Sequence, residues 1–125
     1  MEKVLGIGGM FFRARDPDRL AAWYRDHLGV TPVPTDYGKE PWRQEAGATV
    51  FAPFPQDSDY FRRAEQQWAV NFRVRDLNAM VAQLRAADIE VEVHDEVYPN
   101  GRFAELLDPE GTPIQLWEPA DPVAD

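Results

Sequence analysis

An α+β fold built from two tandem βαβββ modules is predicted by an internal repeat, a change of hydrophobic period inside each copy, and the turn residues between copies. Phe12, Arg13, Ala14, Arg15 and Asp16 recur as Phe72, Arg73, Val74, Arg75 and Asp76, and Ala22 and Arg25 recur as Ala82 and Arg85. In both copies an alternating run ends at an Asp and gives way to apolar residues at helical spacing, so a strand feeds a helix twice. Neither copy can close a core by itself. Their mixed sheets are expected to curl against each other as a cup or open barrel, with the helices outside.

Residues Val4 to Arg15 alternate as a strand, with Met10, Phe12 and Ala14 on one face and Gly9, Phe11, Arg13 and Arg15 on the other. Asp16-Pro17 supplies a capping carboxylate and a residue pre-organised for the first helical turn. Leu20, Ala21, Tyr24 and Leu28 form the stripe of that helix, and Gly29 ends it. Pro32, Pro34, Gly38 and Pro41 make Val30 to Arg43 a short strand and a loop, and Ala48 to Ala52 reads as a strand broken by Pro53 and Pro55. This module spans about 4–55. A polar linker over about 56–67 follows, with room for a helical turn near Asp57.

The second module covers about 68–119. It opens with the alternating run Ala69 to Arg75 and a helix whose stripe is Leu77, Met80, Val81 and Leu84. Ile89 to His94 alternates strictly, with Ile89, Val91 and Val93 inward and Glu90, Glu92 and His94 on a polar face that suits a solvated edge. Tyr98-Pro-Asn-Gly101 is a turn and Arg102 to Leu107 a strand. Asp108-Pro-Glu-Gly111 is a hairpin turn, and Pro113 to Glu118 forms the last strand. The tail at 120–125 is expected to fray.

Composition narrows the function. A formal charge of −9 and a pI near 4.6 disfavour nucleic acid, whose affinity comes mostly from neutralised phosphates. The chain has no Cys, which suits a reducing compartment. No charged-then-apolar leader precedes the first strand, and no apolar run reaches the roughly 18 residues of a membrane helix, so a soluble, cytoplasmic protein without membrane or nucleic-acid partners is expected. Ser58 is the only Ser and lies in the linker, so neither Ser nor Cys offers a nucleophile. Gly6-Ile-Gly-Gly9 is followed by no helix and makes no phosphate loop.

The two strand-to-Asp-to-helix segments, the first ending Tyr24-Arg-Asp-His-Leu-Gly29-Val, and the closing run Asp108-Pro-Glu-Gly-Thr-Pro-Ile-Gln-Leu-Trp-Glu-Pro119 carry a resemblance. From about Gly6 to Pro119 the chain resembles the vicinal oxygen chelate superfamily, which includes glyoxalase I, extradiol dioxygenases, fosfomycin-resistance enzymes and bleomycin-resistance binding proteins. The resemblance implies the cup and a homodimer, with exchange of modules between subunits left open. Metal-using members hold a divalent ion with His and Glu from four strands. Those positions fall here on Gly9, Phe51, Ala69 and Gln115, so the resemblance implies a lost metal site and no cofactor. A register error that brought Glu118 or Glu105 into play as ligands would turn each strand inside out.

With those positions marking the inner face, alternation places Phe11, Arg13, Phe51, Asn71, Arg73, Phe103, Glu105, Gln115 and Trp117 in the cup. Met10, Phe12, Val50, Val70, Phe72, Ala104, Leu106, Ile114 and Leu116 then face the helices. The first set mixes aromatic and polar groups as ligand sites do, with Trp42 and Trp68 as candidate walls of the mouth. Arg13 and Arg73, at equivalent repeat positions, could clamp an anion, or pair with Glu105 or lie in water. Glu105 could act as general base, or be held in a salt bridge.

The favoured reading is a binding protein similar to the bleomycin-resistance branch, taking a small aromatic or anionic molecule. Two alternatives stay open: a metal-dependent lyase, isomerase or dioxygenase of the same superfamily, and a metal-free enzyme with Glu105 as general base.

Overall fold

The computed structural model describes residues 1–120. The tail expected to fray lies, from residue 121 on, outside the described residues. Two helices and four strands follow in the order α1 (Pro17–Leu28), β1 (Val70–Arg73), α2 (Leu77–Ala86), β2 (Glu92–Val93), β3 (Gly101–Leu107) and β4 (Pro113–Pro119). The strands form one open mixed sheet in the order β1-β4-β3-β2, with β1 parallel to β4 and the other pairs antiparallel.

Both helices start where the sequence places them, and α1 also ends where the sequence places its end. Asp16 accepts the Arg19 amide at 3.2 Å, Asp76 accepts the Ala79 amide at 3.0 Å, and Gly29 closes α1 at φ 74°. A second carboxylate reaches each helix start from the C-terminal hairpin. Glu110 accepts the amides of Arg15 at 2.7 Å and Asp16 at 3.1 Å, and Glu118 accepts the amide of Leu77 at 2.8 Å. Negative charge suits these amide-rich ends.

The two backbone bonds hold the Glu110 carboxyl below its ordinary value of 4.5. Its contribution to stability is therefore present above the unfolded-state pKa and is lost as pH falls through the lower folded value. Glu110→Gln is expected to show a weaker loss of urea resistance on acidification below pH 4.5 than wild type. Parallel curves for the two proteins would sink this assignment.

The core lies between the helices and one sheet face. Leu77, Val81 and Leu84 of α2, Leu20 and Tyr24 of α1, and Ala104, Leu106, Ile114 and Leu116 of the sheet are buried together with Val91. Full burial of a side chain the size of Leu or Ile contributes about 1.5–3 kcal/mol, and Leu77, Leu84, Ile114 and Leu116 are each under 2% exposed. The Tyr24 hydroxyl donates to buried Asp108 at 2.7 Å, tying α1 to the β3–β4 turn.

The second module is thus realised as a βαβββ unit, although its first and third segments form shorter strands than the alternation suggests. The first module is not: α1 is its only regular element, and the expected strands at Val4 to Arg15, near Val30 and at Ala48 to Ala52 have no hydrogen-bonded ladder among the described residues. The two sheets expected to curl into a cup are a single open one, and the linker turns at 57–65 are not helical. Alternation reports which side chains share a face, but a strand also needs a neighbour for its amides and carbonyls. Prolines at 32, 34, 41, 53 and 55 further deprive that half of donors. Met10, Phe12 and Val50, expected against the helices, are correspondingly 52%, 43% and 69% exposed.

Candidate functional site

Alternation along β1, β3 and β4 sends Val70, Phe72, Ala104, Leu106, Ile114 and Leu116 to the helices and leaves Asn71, Arg73, Phe103, Glu105, Gln115 and Trp117 on the opposite face. The strand register sorts this second set into two rows that cross the sheet. In one row Asn71 stands opposite Gln115, Gln115 opposite Glu105, and Glu105 opposite Glu92. In the next, Arg73 stands opposite Trp117, Trp117 opposite Phe103, and Phe103 accepts the backbone amide of His94 at 3.0 Å. A polar row therefore runs beside an aromatic one.

Within the polar row the Asn71 amide donates to the Gln115 oxygen at 2.7 Å, and between the two rows His94 Nε2 lies 3.2 Å from Glu105 Oε2. Both members of the second pair are partly open to solvent, at 30% and 21% of the side chain. In the aromatic row the Phe103 and Trp117 rings lie 6° from parallel with centroids 6.3 Å apart, and Tyr98 meets Phe103 edge-on at 5.8 Å. The Trp117 indole donates to the Asn100 carbonyl at 2.8 Å, which satisfies its one polar atom and fixes the ring. Gly101 permits this close approach: its φ is 133°, and a Cβ there would lie 2.2 Å from the Glu118 carbonyl oxygen.

The linker contributes Tyr60, packed with Phe54 and Phe61 at centroid distances of 5.1 and 5.5 Å. Its hydroxyl is pushed above the ordinary tyrosine value by burial first and by the Glu105 charge second, which places it near the polar row.

Six of the nine residues expected in the cup thus share this face, and three do not. Phe11 and Phe51 are 95% and 85% exposed, and Arg13 is exposed as well, because the first-module segments that carry them are unpaired. The two arginines form no clamp. The Arg73 guanidinium instead donates to the carbonyls of Glu45 at 2.9 Å and Ala46 at 3.5 Å. Trp42 meets the core-side Phe72 at 6.4 Å and Trp68 meets Phe12 at 4.4 Å.

Glu105 pairs with His94 rather than with an arginine. β2 is the edge strand of the sheet, as its polar face suits, and the register also puts Glu92 and His94 on the Glu105 face. The signal was present in the sequence: a strand that sends Val91 and Val93 to the helices must send Glu92 and His94 to the other side of the sheet. Nothing in the linker sequence pointed to Tyr60.

The residues at the family metal positions do not fit a divalent ion. Gly9, Phe51 and Ala69 carry no donor side chain, and the Gln115 oxygen already accepts from Asn71. His94 and Glu105 supply two donors that bind each other, and no group of three His, Cys, Asp or Glu side chains converges among the described residues. Glu118 faces the helix side and is engaged by the Leu77 amide. A shallow depression of about 460 Å³, lined by Asn78, Val81, Ala82, Arg85, Val93 and Asp95, lies on the helix side of the sheet.

The family model for the glyoxalase-like domain matches residues 9–117. No curated protein shows significant similarity to the chain. Among solved structures the chain is similar to a lactoylglutathione lyase from Agrobacterium tumefaciens, with 23% identity over 94% of this chain and 96% of that one and a TM-score of 0.59. It is also similar to a glyoxalase family protein from Bacillus anthracis, with 18% identity over 82% and 84% of the two chains and a TM-score of 0.51. A shorter similarity, 31% identity over 42% of each chain with a TM-score of 0.38, is to TnmS3, an antibiotic binding protein from Streptomyces sp. CB03234. The first two share the fold of this chain.

Proposed function

The chain belongs to the glyoxalase-like domain family, and from that premise we propose that it is a binding protein that holds a small, flat organic molecule against the open sheet face, without a metal or other cofactor. One observation carries this reading: the family metal positions lack donors while the same face keeps a ring pair, Phe103 and Trp117, beside a row of hydrogen-bonding side chains. Such a mixture of apolar walls and few polar groups is what small-molecule recognition uses.

The test has two arms. Flat aromatic compounds titrated against tryptophan fluorescence should give saturable binding, lost when Phe103 is changed to Ala. Ni²⁺, Zn²⁺, Mn²⁺ and Fe²⁺ should each leave the unfolding midpoint unchanged. Near-stoichiometric metal, lost on changing Glu105 or Glu118, would overturn the reading in favour of a metal-dependent lyase, isomerase or dioxygenase.

The His94–Glu105 contact favours a second reading, a metal-free enzyme with Glu105 as general base, in which Glu105→Gln abolishes turnover and leaves binding intact. The working unit is a homodimer on either reading. The unpaired segments at 4–15 and 48–52 and the free edge of β1 are what a second copy would cover, as exposed strand edges demand. Sedimentation at micromolar concentration distinguishes dimer from monomer. A cysteine-free chain suits the cytoplasm.

A further inference from the structure

We propose that Glu105, gated by the His94 imidazole, anchors a basic nitrogen of the ligand, so that the sheet face selects a flat aromatic cation and holds it more tightly once the imidazole is neutral. The inference rests on the binding reading above and names the ligand class.

The argument is an inventory of the charges that reach this face. From β1, Arg73 is committed to the Glu45 and Ala46 carbonyls, and Gly47 passes so close that a Cβ there would lie 2.1 Å from the guanidinium. Arg75, just beyond β1, is exposed and paired with Glu45 at 3.4 Å. From β3, Arg102 stands opposite Glu118 on the helix side and donates to Asn78 at 3.2 Å. From β4, Gln115 and Trp117 carry no charge, and their polar atoms are engaged with Asn71 and Asn100. The linker brings Tyr60, whose raised pKa keeps it a neutral hydroxyl, and Arg62, whose charge acts on that hydroxyl. From β2 and its continuation come Glu92, exposed, His94, and the exposed Asp95 and Glu96, the last bonded to the hydroxyl of the Tyr98 that packs on Phe103.

Glu105 is consequently a half-buried carboxylate with one side-chain partner on the sheet, the imidazole at Oε2, and its Oε1 makes no hydrogen bond among the described residues. While His94 is protonated, the carboxylate is neutralised inside the protein. Once the imidazole loses its proton, the negative charge stands uncompensated beside the parallel Phe103 and Trp117 rings. A cationic ring lying on Phe103 would meet both the carboxylate and a π face, two attractions of the same sign. Ligand cation and imidazole proton compete for one carboxylate, so binding of the first expels the second. By linkage, affinity for a cation rises with pH as the imidazole proton is lost.

Two fluorescent probes of opposite charge test this, thioflavin T as a permanently cationic planar dye and 8-anilinonaphthalene-1-sulfonate as an anionic one. Wild type is expected to bind thioflavin T about tenfold more tightly at about pH 8 than at about pH 5. Glu105→Gln should lose that gain, His94→Gln should bind at the lower pH as wild type does at the higher, and the surface control Glu2→Gln should follow wild type. A pH-independent thioflavin T affinity in wild type, or an unchanged pH dependence in Glu105→Gln, would overturn the anchor. Binding of the anionic dye alone, displaced by Phe103→Ala, would overturn the anchor and leave the binding face standing, whereas binding of neither dye would count against the face itself.

Discussion

Leu116→Ala is expected to lower the unfolding free energy by about 2–5 kcal/mol, the range for a truncated core leucine. Leu116 is fully buried, at 0% exposure, on β4, which pairs with β1 on one side and β3 on the other. Its side chain packs in the cluster with Leu77 and Leu84 of α2, so truncation opens a void at the point where helix and sheet meet. Neighbours on a paired central strand cannot collapse into that void without breaking ladder bonds. Urea unfolding followed by far-UV circular dichroism should show a lower midpoint with an unchanged slope. A loss below about 1 kcal/mol would mean that this layer is not the cooperative core.

Asp108→Ala is expected to cost about 3 kcal/mol or more, because one buried carboxylate serves three donors. Its Oδ2 accepts the Tyr24 hydroxyl at 2.7 Å, and its Oδ1 accepts the amides of Glu110 at 2.8 Å and Thr112 at 3.0 Å. The substitution strands the Tyr24 hydroxyl and unties the turn between β3 and β4. Tyr24→Phe removes only the hydroxyl and should cost about half as much.

The same contact has a signature at high pH. Burial, then the hydrogen bond to Asp108, then its charge push the Tyr24 hydroxyl well above the ordinary tyrosine value of 10.0. Its neutral form is favoured in the folded state, so the associated stability is complete below that value and is lost as pH rises above it. Wild type should lose stability above pH 10.0 more steeply than Tyr24→Phe. Equal slopes would show that the hydroxyl is not held as described. Since β3 and β4 carry Phe103, Glu105, Gln115 and Trp117, Asp108→Ala should also blunt ligand binding at a distance from the face.

The elements with local signals are legible in the sequence. Asp16-Pro17 and Gly29 bound α1, Asp76 starts α2, and the Asp108 to Gly111 turn sets the β3–β4 hairpin, because caps and turns are decided within a few residues. Also legible is which side chains of β1, β3 and β4 share a face, since the period of a strand is fixed by covalent geometry.

The pairings come from the assembled fold. It showed that the alternating first-module segments lack a ladder, so Phe11, Arg13 and Phe51 never reach the face they share by parity. It turned Arg73 onto a backbone loop, and it set His94 rather than an arginine against Glu105. Each of these depends on a partner distant in the chain, and closing such contacts is a matter of register and loop path that no local pattern encodes.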